Sequence, residues 1–278
     1  MKRITRKELK DFEGYLYEDE KSRATVEKYS RDMARFAEYL GSRELTRAAV
    51  TEYKDKLARD YSVASANSMI AALNKFFRFL GRPELCVRQF RVQRRVFCPA
   101  EAELTREEYS RLVQAAEREG DKRLSLMIQT MCGTGIRVSE LENITAEAVR
   151  QGSVTVSCKG KTRTVFIVSA LQKKLTRYAS ECGISRGPIF LTASGRPIDR
   201  CNVWRQMKAL CESARVAPSK VFPHNLRHLF ARIFYKKEKD IAKLADVLGH
   251  SSINTTRIYI VTTGEEHRSL MESMHLIL

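Results

Sequence analysis

Two of the five histidines in this chain, His224 and His250, head short blocks crowded with other reactive groups. Residues 222–228 read Phe-Pro-His-Asn-Leu-Arg-His, and residues 248–259 read Leu-Gly-His-Ser-Ser-Ile-Asn-Thr-Thr-Arg-Ile-Tyr. On a helix, His224 and Arg227 stand three residues apart on one face, so both can reach a single ligand. A guanidinium beside an imidazole disfavours its protonated form, which suits His224 to act as a hydrogen-bond partner or base. His250 follows a glycine, where a turn can present the ring, and Tyr259 closes the same block. A basic setting lowers the pKa of a phenol and favours its attack on an electrophile. Gly133-Thr-Gly-Ile-Arg137-Val-Ser-Glu140-Leu141 places another arginine just after a double-glycine turn, and Cys158-Lys-Gly-Lys-Thr-Arg163 offers Lys159 or Lys161. Each group alone has an ordinary structural reading: a capped helix-start histidine, a core tyrosine, a solvated turn lysine. Only the combination suggests nucleophilic catalysis.

Holding such groups together takes a scaffold, and the composition supplies one. The 278 residues are 43% hydrophobic, with 12 Phe and 10 Tyr, enough for one large domain or two modest ones with real cores. Fifty Lys+Arg against 33 Asp+Glu leave a formal net charge of +17. Polyanions are therefore the natural partner, nucleic acid the commonest of them. No apolar run approaches the roughly 18 residues that span a bilayer. Met1-Lys2-Arg3 leads into charged residues rather than an apolar signal segment. Seven cysteines without a Cys-x-x-Cys pair fit free thiols in a reducing cytoplasm better than disulfides or a zinc site. A soluble cytoplasmic protein with no membrane role is expected.

The first 80 residues read as helices. Over 25–40, apolar side chains fall at Val26, Tyr29, Met33, Phe36, Ala37 and Leu40, which is one helix face. A second face runs through Met69, Ile70, Leu73, Phe76, Phe77 and Leu80, with Gly41-Ser42 and Gly81-Arg82-Pro83 as stops. Residues 8–17 and 46–58 complete a bundle. From 81 to 100 the periodicity breaks, and Arg82, Arg88, Arg91, Arg94 and Arg95 stand against one acid, Glu84. Such a run can be a solvated linker; the favoured reading is an arm laid along phosphates, where arginine adds bidentate hydrogen bonds to charge. Thr105-Arg-Glu-Glu108 then opens a new helix. Residues 153–157 and 164–168 alternate β-branched side chains around a glycine-containing turn and predict a hairpin. The expected fold is mainly α with a small antiparallel β-sheet. It has two domains: a helical bundle over 1–81, a basic linker over 82–103 and a larger domain over 104–278.

Taken together, these blocks resemble the tyrosine recombinases (integrases), most nearly their short Xer-like and mobile-element members. The pattern Gly-x-Arg-x-Ser-Glu-Leu is met by residues 135–141, the His-x-Leu-Arg-His box by 224–228, and the Leu-Gly-His-x-Ser…Thr-Thr-x-x-Tyr box by 248–259. Order, residue types and spacing agree over nearly the whole chain. Two departures touch no motif position. Lys236-Lys-Glu-Lys-Asp240 replaces a glycine-containing turn common in relatives, and Ile260-Val261 follows the tyrosine where others often carry Thr-His.

The resemblance implies a SAM-like core-binding bundle followed by a tyrosine recombinase catalytic domain with a C-terminal helix. It makes Arg137 and Arg227 the clamps on a scissile phosphate, and Tyr259 the nucleophile. His224 and His250 would hydrogen-bond the non-bridging oxygens or handle the nucleophile's proton. Lys159 corresponds to the hairpin lysine that acts as general acid, because Cys158-Lys159-Gly160 fits the family's Gly-Lys-Gly better than Lys161 does. Glu140 supports the site, and Arg88, Arg91, Arg94 and Arg95 are expected to contact DNA.

The implied activity is site-specific recombination through a 3′-phosphotyrosyl intermediate and a Holliday junction, with no metal, ATP or other cofactor. The implied partner is a double-stranded DNA recombination site, bound by a homotetramer on synapsed DNA from a protein that is monomeric when free, in a bacterial nucleoid. Two rival expectations stand beside it: a catalytically silent DNA-binding relative, and topoisomerase-type relaxation by the same chemistry. Leu270, Met271, Met274, Ile277 and Leu278 give a short terminal helix an apolar face, to pack on its own domain or dock into a neighbouring protomer.

Overall fold

The computed structural model describes residues 4–91, 103–158, 161–259, 268 and 271–274. The chain divides into two compact units, Met1–Arg94 and Arg95–Leu278. In the first, α1 (Arg6–Glu18), α2 (Arg23–Leu40), α3 (Arg47–Asp60) and α4 (Val63–Phe79) form a bundle. Thr5, Thr46 and Ser62 cap α1, α3 and α4 by accepting from backbone amides that have no partner within the first turn. The apolar stripes converge on Phe12, Met33, Phe36, Phe76 and Phe77, all fully buried. Phe12 meets Phe76 edge-on at 5.1 Å.

The first stretch of the expected linker is tied down. Leu85 and Val87 enter the bundle core. Asn74 Nδ2 donates to Val87 O at 2.8 Å and its Oδ1 accepts from Val87 N at 2.9 Å. Two turns earlier on α4, Asn67 does the same for Phe90 at 2.9 and 2.7 Å. Each amide side chain plays the part of a neighbouring strand. Residues 86–90 therefore form a strap along α4, which hydrophobic periodicity does not reveal because the groups that bond its backbone are two polar side chains.

In the second unit α6 (Lys122–Thr134) buries nearly its whole circumference and packs against α5 (Arg106–Arg118), α8 (Ser169–Glu181) and α10 (Pro223–Glu238). Thr105 caps α5, as the sequence predicts, and the Glu108 side chain returns the bond to the Thr105 amide. Around this centre lie α7 (Ala146–Gln151), α9 (Arg200–Ala209), α11 (Ile241–Leu248) and α12 (Ile253–Arg257). The hairpin joins β1 (Ser153–Cys158) to β2 (Lys161–Phe166). Its register runs from Ser153↔Phe166 to Cys158↔Lys161, so the turn is shorter than expected and Arg163 is a strand residue opposite Val156. Strand alternation puts Arg163 on the same face as the buried Val165. The sequence reading followed the β-branched runs, whereas backbone pairing extends the ladder into the polar Lys161-Thr-Arg163. Among the described residues no helix is long and apolar enough to cross a membrane. Most of the expected C-terminal helix lies outside the described residues.

Candidate active site

Pro223 occupies the first turn of α10, where its missing N–H has no helical partner to lose. His224 follows on the exposed rim, and Arg227, three residues on, is 1% exposed. Arg227 Nη1 donates to Gly135 O at 2.5 Å, and Nη2 donates to Leu248 O at 2.6 Å and to His250 Nε2 at 3.0 Å. The two carbonyls belong to the C-terminal ends of α6 and α11, where unpaired C=O groups face a cation favourably. Among the described residues Arg227 Nε is buried without a partner. The neighbouring carboxylate, Glu140, is engaged by Arg137 and Arg163. Burial, followed by the charge of Arg137, pushes the Arg227 pKa down to about 10.

Gly249 ends α11 at φ 64° and turns His250 inward. Arginine can only donate, so His250 Nε2 is the acceptor and its Nδ1–H faces Thr256 Oγ1 at 2.9 Å. Burial, then Arg227, pushes the His250 pKa down to about 4. Burial, then His224, does the same to His228. His224 is lowered by burial and by Arg227. All three imidazoles are thereby held neutral near pH 7.

Tyr259 follows α12 and is 5% exposed. Its hydroxyl lies 3.1 Å from His224 Nε2. Its ring stacks on His228 at 4.2 Å and leans on His250 at 5.2 Å. The phenol is therefore boxed by three neutral imidazoles, one of them able to accept its proton.

Arg137 caps a 3₁₀ turn, Val138–Asn143, and that turn brings Glu140 back to it. Glu140 Oε2 accepts from Arg137 N at 2.8 Å, and Oε1 accepts from Arg137 Nη1 at 2.9 Å. Arg163 completes the set with Nη1 to Oε1 at 3.0 Å and Nη2 to Oε2 at 2.7 Å. Burial raises the Glu140 pKa, yet the Arg163 and Arg137 hydrogen bonds outweigh it and hold the carboxyl below its ordinary range. The Arg137 side chain stays 28% exposed. It opens on a cleft of about 760 Å³ lined also by Arg200, Trp204, Arg205, His224 and Arg227. Such a cleft, rich in guanidinium groups and lined by the His224 that the Tyr259 hydroxyl meets, suits an anion.

The structure thus brings Arg137, Glu140, His224, Arg227, His250 and Tyr259 to one place. Arg88 and Arg91 are exposed on the first unit. Lys159, Arg94 and Arg95 lie outside the described residues. Sequence reasoning passed over two participants. His228 carried a signal, since it stands four residues from His224 on the same helix face. Arg163 carried one too: it shares strand parity with Val165, once the register is known.

Comparison with known proteins gives this geometry its family. A model of the phage integrase family matches residues 102–266, and one of the phage integrase N-terminal SAM-like domain matches residues 9–84. The tyrosine recombinase XerA of Pyrococcus furiosus is 30% identical over 97% of this chain and 94% of its own length. XerD of Xanthomonas axonopodis pv. citri is 34% identical over 54% of each chain. A crystal structure of XerA recombinase, 25% identical, superposes with a TM-score of 0.56 and covers 99% of this chain and 100% of that one. A lambda integrase(75–356) dimer bound to a COC′ core site shares the fold at a TM-score of 0.75 and 18% identity, over 94% and 96% of the two chains. The chain belongs to the phage integrase family and is a tyrosine recombinase, an enzyme of site-specific DNA recombination.

Proposed function

We propose that Tyr259 is the nucleophile of DNA strand cleavage, and that Arg137, Arg227, His224 and His250 form the machinery around it. The observation that carries this reading is Arg227: a cation 1% exposed, with a buried Nε that has no partner among the described residues, beside a phenol already hydrogen-bonded to a neutral histidine. Burying an unpaired charge is costly unless an anion completes it. A scissile phosphodiester seated against Arg137 and Arg227 is that anion.

In the cleavage step the Tyr259 oxygen bonds to phosphorus, and the bond from phosphorus to the 5′ oxygen breaks. The phenolic proton passes to His224 Nε2, whose lowered pKa keeps it ready to accept. The departing 5′ oxygen takes a proton from the hairpin lysine, for which Lys159 is the assignment. Arg137 and Arg227 face the charge that grows on the non-bridging oxygens. His250 orients Arg227, and Thr256 fixes the His250 tautomer. The phosphotyrosyl bond conserves the energy of the phosphodiester, so a free 5′-hydroxyl can reverse the step on another strand.

The partner is double-stranded DNA, held by both units and by Arg88, Arg91, Arg94 and Arg95. One recombination event of this kind cleaves four strands, in two successive pairs, and so needs four active sites, hence a homotetramer assembled on DNA from free monomers. A lambda integrase tetramer bound to a Holliday junction shares this fold at a TM-score of 0.74.

Covalent capture tests the reading. Wild type and Tyr259→Phe are incubated in EDTA with fragmented DNA from around the gene, denatured, and the attached DNA is sequenced. DNA held by the wild type alone supports the reading and delivers the target site. Equal retention by both moves the nucleophile elsewhere. Non-covalent binding with no capture by either makes this chain a silent DNA binder.

A further inference from the structure

The carboxylate that holds Arg137 is itself held. Arg163 reaches Glu140 from β2 and places one terminal nitrogen on each oxygen, at 3.0 and 2.7 Å; the two side chains are 9% and 4% exposed. A parallel pair of this kind is the arrangement a guanidinium prefers with a carboxylate. Because Arg163 has taken it, Arg137 makes only one side-chain bond to Glu140, from Nη1 to Oε1. The rest of the Arg137 fork is left facing the cleft. Arg163 also lies under the turn that presents His250: a Cβ built on Gly249 would stand 2.7 Å from Arg163 Cδ. The fold thus reserves space for this side chain at two points.

We propose that Arg163 is a positioning residue for strand cleavage. By saturating Glu140 it stops that carboxylate from drawing both terminal nitrogens of Arg137 to itself, and so keeps the Arg137 fork open to the scissile phosphate. This rests on the reading of Arg137 as a phosphate clamp. Unlike Arg137 and Arg227, Arg163 gives its charge to Glu140 and acts on DNA only through Arg137.

The test is single-turnover cleavage of the DNA site recovered by covalent capture, made once with its natural scissile phosphate and once with a methylphosphonate there. The methyl group removes one non-bridging charge and with it much of the need for a clamp. Arg163→Met lowers cleavage of the natural phosphate about 100-fold, the effect of one misplaced transition-state donor. On the methylphosphonate the loss shrinks to about tenfold or less, in parallel with Arg137→Ala. Adding Glu140→Gln to Arg163→Met recovers cleavage of the natural phosphate, because a neutral amide no longer captures Arg137.

Equal losses on the two substrates, or a double variant no better than Arg163→Met, overturn the proposal and make the pair scaffolding. Should Arg163→Met fail to fold, Arg163→Lys carries the same comparison, since it keeps a cation on Glu140 without the fork. If Arg137→Ala itself loses equally on both substrates, the clamp reading fails and this inference falls with it. If Arg137→Ala is rescued and the Arg163 variants are not, this inference alone fails.

Discussion

Replacing Arg227 with methionine is expected to separate folding from chemistry. Keeping this guanidinium buried lowers its pKa from the ordinary arginine value to about 10. At about 1.4 kcal/mol per unit, that amounts to a cost of roughly 3 kcal/mol at any pH below about 10. Methionine removes the cost but leaves Gly135 O and Leu248 O without their donor, at roughly 1–3 kcal/mol each. The two effects oppose, so the free energy of unfolding should change by no more than about 3 kcal/mol, as when buried ions are replaced by apolar groups of similar size. Cleavage should fall by about 1,000-fold, the upper end of what one lost transition-state donor costs. Urea unfolding followed by circular dichroism gives the first quantity, and single-turnover formation of the covalent DNA adduct gives the second. A loss of more than about 4 kcal/mol would mean that Arg227 is a structural cation whose carbonyl bonds dominate. Cleavage within about tenfold of wild type would remove Arg227 from the phosphate altogether.

Other consequences are equally direct. His228 and His250 have folded pKa values of about 4 against an ordinary 6.5, so below about pH 6.5 the unfolded chain binds protons that the fold refuses. Stability is therefore full above that pH and declines towards pH 4, where loss of the Glu140 carboxylate adds to it; a melting temperature that is flat from about pH 7.5 to about pH 5 contradicts this. Gly135→Ala forces an alanine to φ 65° and puts its Cβ 2.5 Å from Phe230 Cδ1. It should cost about 2–5 kcal/mol in denaturant unfolding and, by moving the carbonyl that holds Arg227, slow cleavage as well. Asn74→Ala leaves both backbone groups of Val87 unpaired. Hydrogen exchange at Val87 and neighbouring amides should accelerate by about tenfold or more, and unchanged protection would show that apolar packing of Leu85 and Val87 holds the strap by itself.

Much of this site was legible in the sequence because its chemistry is local. The His224–Arg227 pair follows from helical spacing, and His250 from a glycine that ends a helix in the left-handed region. What stayed hidden depends on distant partners. Arg163 reads as a turn residue until the pairing of β1 with β2 is known, and its burial makes sense only when Glu140 is opposite. The strap over α4 is hard to read from hydropathy because two asparagines bond its backbone, alongside the apolar packing of Leu85 and Val87. Nor does spacing reveal that Arg227 is oriented by two carbonyls from the ends of different helices.

Peptide mapping of the captured adduct tests the central claim most directly. After nuclease trimming and trypsin digestion, the peptide running from Ile258 to Arg268 should carry a nucleotide joined through its 3′-phosphate to Tyr259. A fragment spectrum that places the nucleotide on Tyr259 is the predicted result. The same nucleotide on any other peptide, or an adduct whose Ile258–Arg268 peptide is unmodified, contradicts the account.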